Sequence, residues 1–274
     1  MRNKLKGLLK KSLLFLFLFL CLNYPDGVIF SKEAFLESNQ SLKLGISYLN
    51  LRKNFVYLPV TWKSRMMTAF LSYELTYGKF YFSIQMSYGQ GPISDVGEER
   101  RPRNNSFSLL NCSYDFVWYR LRAAGEQKFF WGFGLSIQNL EVKQKVNIAP
   151  GRYNEHKDEY FGLGPRFSAL YRFSEGKILT GFDLCLTATL PGASQSIIKT
   201  EGVYSDKSYL LWVKLNWSVY CDYRLSRLYT VKLSFERETW VYGRKQQPQY
   251  ELHHFFSGGA FVVNTLGLRL GYNF

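Results

Sequence analysis

The chain is 274 residues long, 46% hydrophobic and 18% aromatic, with a formal charge of +14. After residue 22 it has no apolar run approaching the ~20 residues of a membrane-spanning helix, which excludes a helical membrane protein. Four scattered cysteines exclude a disulfide framework or a zinc spacing, and the cations are too diffuse to form a nucleic-acid motif.

The first eleven residues contain Arg2, Lys4, Lys6, Lys10 and Lys11 and no acid, and the apolar segment Ser12–Leu22 follows. A basic start before a short apolar run reads as a secretory signal peptide, here residues 1–31, ahead of a domain spanning 32–274. Without those residues the charge is about +10. Leu20 stands where a lipid-attachment motif needs a small residue before its cysteine, so Cys21 is not read as a lipidation site. Cys112, Cys185 and Cys221 fall inside predicted strands and read as small apolar residues.

Beyond residue 40 the chain alternates apolar and polar positions, the period of a β-strand with one face buried in apolar surroundings. The alternation predicts ten strands: 41–52, 65–77, 80–88, 106–120, 127–141, 159–173, 177–190, 207–223, 228–242 and 258–274. The connections alternate in length. Long ones fall at 53–64, 89–105, 142–158, 191–206 and 243–257, and short ones at 78–79, 121–126, 174–176 and 224–227. In the last strand, Leu266, Leu268, Leu270, Tyr272 and Phe274 share one face, opposite Gly267, Arg269, Gly271 and Asn273. This ending resembles the C-terminal sorting strand of Gram-negative outer-membrane β-barrels, and the resemblance implies recognition by the barrel-assembly machinery.

The expected fold is all-β: a closed, antiparallel, up-and-down transmembrane barrel of about ten strands, with eight or twelve as alternatives. Closure follows from the solvent, because backbone groups facing hydrocarbon have no water to bond and each must pair with a neighbouring strand. Trp118, Trp131, Trp217, Tyr73, Tyr77, Tyr88, Tyr171 and Tyr223 fall near strand ends, as aromatic girdles require.

The polar parity of such a barrel fills its lumen. It carries Lys43, Glu74, Asp115, Arg166, Arg172, Asp183, Lys214, Asp222, Lys232, Glu236 and Arg269, six basic and five acidic. Buried charges persist when paired, so this near-balanced set predicts an ion-pair network inside a packed or narrow barrel.

Two loop segments carry candidate chemistry. Glu251 and His253 lie two apart on an extended segment, a spacing similar to the acid–histidine pair of the omptin proteases, which are also ten-stranded barrels. The Asp-Asp pair of that family has no counterpart, since Asp95, Asp158 and Asp206 stand alone in predicted loops. The reading therefore leans against an enzyme. Arg100, Arg101 and Arg103 form a possible anion patch for lipopolysaccharide phosphates or sulfated glycans.

The sequence thus predicts a monomeric outer-membrane barrel with long surface loops, in a ligand-binding, host-surface-binding or envelope-structural role. A narrow passive channel and an outer-rim hydrolase, omptin-like or lipid A-modifying, are the alternatives. Its expected partners are outer-membrane lipid and lipopolysaccharide, the assembly machinery and an extracellular glycan or protein. No nucleic acid, metal or cofactor is expected.

Overall fold

The computed structural model describes residues 36–55, 61–96, 105–120, 129–149, 152–173, 177–189, 195–200, 204–244 and 258–274. The segment 1–31, the arginines Arg100, Arg101 and Arg103, and the pair Glu251 and His253 lie outside the described residues.

Eleven strands follow in chain order: β1 (Leu36–Phe55), β2 (Thr61–Gly78), β3 (Phe80–Val96), β4 (Ser106–Arg120), β5 (Phe129–Ala149), β6 (Arg152–Phe173), β7 (Ile178–Thr189), β8 (Gln195–Thr200), β9 (Tyr204–Arg224), β10 (Tyr229–Arg244) and β11 (Gly258–Asn273). Each pairs antiparallel with its neighbours. The sheet closes on itself through β1 and β11, in unbroken register from Ser41↔Asn273 to Phe55↔Gly259. β7 and β8 make a single stave, because both lie between β6 and β9 and run in the same direction. The result is a closed barrel of ten staves, the expected fold.

Alternation sorts the side chains. On β1, Leu42, Leu44, Ile46 and Tyr48 point outward and are exposed, while Ser41, Lys43 and Ser47 point inward and are buried. Leu266, Leu268, Leu270, Tyr272 and Phe274 likewise line the outside of β11. So broad an apolar exterior has no counterpart on a water-soluble monomer.

Toward the end of the barrel reached by the long connections, the polarity of the two faces inverts without any slip in register. From Leu49 onward the outward residues of β1 are polar, Asn50 and Arg52, while the inward Leu49 and Leu51 are apolar and are followed by the buried Lys53. Toward the same end the outward residues turn polar beyond Met66 on β2 (Arg65, Lys63), Leu109 on β4 (Ser108, Ser106) and Tyr160 on β6 (Glu159, Lys157), while the inward positions mix apolar and buried polar side chains, Ser64 and Asp158 among them. The barrel wall therefore continues past its apolar band with a polar outer face and an interior of aromatic and aliphatic side chains around the buried Lys53, Gln144 and Asp158.

This inversion corrects the predicted boundaries. Strands judged by an apolar outer face end too early. Much of 53–64 and 89–105 belongs to β1, β2 and β3, and β8 stands inside the predicted loop 191–206. The predicted loop 142–158 is almost entirely the upper part of β5 and β6, paired as far as Ala149↔Arg152. Asp158 is accordingly a buried strand residue, and Asp95, Asp206 and His156 also lie in strands.

Candidate functional site: a packed lumen and a charged rim

The lumen is filled in three layers. Near the short turns, Val117, Tyr119, Phe130 and Leu170 pack together with Tyr81, Leu179 and Tyr220. Above them lie the charged residues. At the far end a larger apolar cluster includes Leu49, Leu51, Met66, Phe107, Tyr160, Trp212, Trp240 and Phe261. The indoles of Trp212 and Trp240 lie 6.4 Å apart, centre to centre, and the Tyr160 ring sits 5.1 Å from Trp212. Trp240 is 1% exposed and Phe261 0%.

The structure joins most of the predicted lumen charges into two groups. Lys43 of β1 reaches across the lumen to Asp222 of β9 at 2.6 Å and contacts Glu74 at 3.1 Å. Lys232 approaches the other oxygen of Glu74 at 3.8 Å and lies over the Tyr220 ring at 3.9 Å. In the second group Arg166 binds Asp115 and Asp183, each at 2.7 Å. Asp115 also accepts from Ser136 at 2.6 Å and Ser83 at 3.3 Å. Ser168 donates to Asp183 at 2.6 Å. Ionised groups this far from water need such partners, because desolvation of an isolated charge costs more than one contact returns.

The remaining predicted positions find other neighbours. Arg269 stacks on Phe70 with its guanidinium carbon 3.5 Å from the ring centre, and Arg172 lies 5.9 Å from the centre of Phe130. Glu236 accepts from the amide of Asn216 at 2.5 Å. Lys214 pairs with Glu238 at 2.5 Å.

Sequence reasoning missed Glu238, Lys53, Gln144 and the whole aromatic layer. Glu238 and Trp240 continue the inward parity of Glu236, and that continuation was the available signal. Lys53 is 0% exposed, its amine 3.1 Å from Gln144 and 4.9 Å from the centre of the Phe261 ring. Asp158 accepts from Tyr160 at 3.3 Å.

Between the apolar layers lies a cavity of about 90 Å³, with Asp115, Arg166, Asn216, Glu236 and Arg269 in its wall. Nε of Arg166, Nε of Arg269 and Oδ1 of Asn216 are buried there without a protein partner. A polar chamber of that size with several open valences suits bound water.

Outside, the two sides of the rim differ. On β5 and β6, Glu141 binds Lys143 at 2.9 Å and Lys157 at 2.8 Å, and Lys157 binds Glu159 at 3.0 Å. Burial alone would raise the Glu141 pKa, but the hydrogen bonds and charges of the two lysines prevail and lower it. On β10, β11, β1 and β2, the outward residues at the same boundary are Arg237, Asn264, Asn50 and Arg65.

No family model matches the chain, and no curated protein is similar to it in sequence. Its fold is similar to that of solved outer-membrane barrels. The outer-membrane protease OmpT from Escherichia coli aligns with a TM-score of 0.57 at 10% identity, covering 89% of this chain and 100% of that one. The translocator domain of the autotransporter NalP from Neisseria meningitidis aligns at 0.45 and 8% identity, covering 88% and 90%. At these identities the likeness is one of fold.

Proposed function

We propose that the chain is an outer-membrane barrel closed to passive flux, whose activity resides in what its outer rim and surface loops bind. One observation carries this reading: among the described residues an aromatic layer, with Tyr160, Trp212 and Trp240 in contact and Phe107 of β4 meeting Phe261 of β11 at 6.4 Å, lies in the lumen above two ion-pair groups and a cavity of about 90 Å³. Ten-stranded barrels lie close to the size at which side chains fill the interior. The apolar exterior supports a membrane location, and the fold likeness to outer-membrane barrels supports the outer membrane. On this reading Arg100, Arg101 and Arg103 form a loop patch for acidic glycans or lipopolysaccharide, and residues 266–274 carry the assembly signal. The fold shared with a protease does not bring a catalytic site with it.

Two measurements test the proposal. The purified chain in planar bilayers is expected to give no steady conductance, and a stable open level would overturn the closed-barrel reading. Reconstituted protein is expected to bind sulfated polysaccharide in a salt-dependent way, and the triple change Arg100→Ser, Arg101→Ser, Arg103→Ser should abolish that binding. Equal binding by both proteins would remove the loop patch from the proposal.

A further inference from the structure

A line of outward residues crosses four adjacent strands where the apolar band ends. Arg237 on β10 stands opposite Asn264 on β11. Asn264 stands opposite Asn50 on β1, and Asn50 opposite Arg65 on β2. One rung higher, Arg52 stands directly opposite Lys63. Arg52, Arg65 and Arg237 are all exposed.

At and above this line, the outward positions of these four strands contain no acidic residue among the described residues. Glu74, Glu236 and Glu238 of the same strands face the lumen. The β5–β6 side of the same boundary instead balances Lys143 and Lys157 with Glu141 and Glu159. One side of the rim is therefore self-neutralised, and the other holds a same-sign cluster just above the hydrocarbon level.

We propose that the β10–β11–β1–β2 rim binds the phosphorylated headgroup of a membrane glycolipid, with Arg52, Arg65 and Arg237 on its phosphates. The inference rests on the membrane reading above. Its occupant follows from position and charge. Directly below the arginines, Tyr48, Met67, Leu266 and Leu268 present an apolar wall for acyl chains. The flanking asparagines offer short amide groups to a sugar without adding charge. Arg65 and Arg237 stand three inter-strand steps apart, about 14 Å at the usual spacing. That separation suits a headgroup with more than one phosphate better than a monophosphate. Guanidinium groups bind phosphate oxygens in a fixed two-pronged geometry.

The test uses the full chain in nanodiscs of zwitterionic lipid doped with a bis-phosphorylated glucosamine disaccharide lipid. Co-purified glycolipid is quantified by mass spectrometry after detergent exchange. Wild type and a control, Lys143→Ser with Lys145→Ser, are expected to retain it. The triple change Arg52→Ser, Arg65→Ser, Arg237→Ser is expected to retain about 100-fold less, taking roughly fivefold for each cation near an anionic headgroup plane. Heat-dependent electrophoretic mobility establishes that all three proteins are folded. Equal retention by the triple variant, or a comparable loss in the control, overturns the rim proposal alone. A wild-type chain that does not enter discs of any composition overturns the membrane reading, and the rim proposal with it.

Discussion

Nζ of Lys214 lies 2.5 Å from Oε1 of Glu238, while the other carboxylate oxygen accepts a hydrogen bond from the Trp240 indole at 3.0 Å. The pair is fitted into the aromatic layer: the amine also lies 5.4 Å from the centre of the Trp240 ring. The charge is tolerated there because each of its partners is fixed in place, and Trp240 serves as both packing and donor. Trp240→Ala should remove a fully buried side chain and orphan one carboxylate oxygen. The expected loss is about 3–5 kcal/mol, read from urea unfolding of the reconstituted barrel. The same variant should give intermittent conductance in planar bilayers where the wild type gives none.

Arg166 depends on Asp115 as well as on Asp183. Asp115→Asn keeps the shape and removes half of the compensating charge, at an expected cost of about 3 kcal/mol. Because the two groups act as a unit, adding Arg166→Gln should cost much less than the sum of the separate changes. A double-mutant cycle by chemical unfolding measures the coupling, and simple additivity would mean that the two side chains act independently.

Gly181 faces inward beneath Tyr220, and a Cβ built there would lie 2.1 Å from the tyrosine ring. The ring covers a position that has no side chain of its own, and it packs against the apolar layer near the short turns. Gly181→Ala forces the ring away, and a loss of about 1–3 kcal/mol is expected. Tyr220→Leu should relieve much of that penalty in the double variant, again measured by urea unfolding.

Acid should loosen the β5–β6 rim. The folded pKa of Glu141 lies below its ordinary value because Lys157 and Lys143 outweigh the opposing effect of burial. Its contribution is therefore complete above the unfolded glutamate pKa and is lost as pH falls through the lower folded value. The groups are partly exposed at the rim, so screening limits the effect to about 0.3 kcal/mol. Thermal melting between pH 7 and pH 3 should fall slightly less for Glu141→Gln than for the wild type, and identical slopes would remove this pair from the acid response.

The closed barrel was legible because hydrocarbon imposes one rule on every stave. From Leu266 to Phe274, for example, each second residue is apolar, and the register with β1 follows from that pattern. The lumen was half legible. Lys43, Asp115 and Arg166 interrupt an outward-facing apolar alternation and so mark the inside. Tyr160 and Trp212 gave no such mark, since an aromatic residue on the inner parity looks like noise when the inside is assumed polar. Long-range pairings such as Lys43 with Asp222 were not readable at all, because they depend on which strands face each other across a closed cylinder.

On the proposed membrane reading, the exchange of faces between Tyr48 and Leu49 also fixes the depth at which the molecule floats. Sinking by one rung, about 7 Å along a strand, would draw Arg65 and Arg237 toward oil at roughly 1 kcal/mol each, rising to ~2–4 kcal/mol near the midplane. Rising by one rung would lift Tyr48 and Leu266 into water. On that reading the waterline is written into the wall residue by residue.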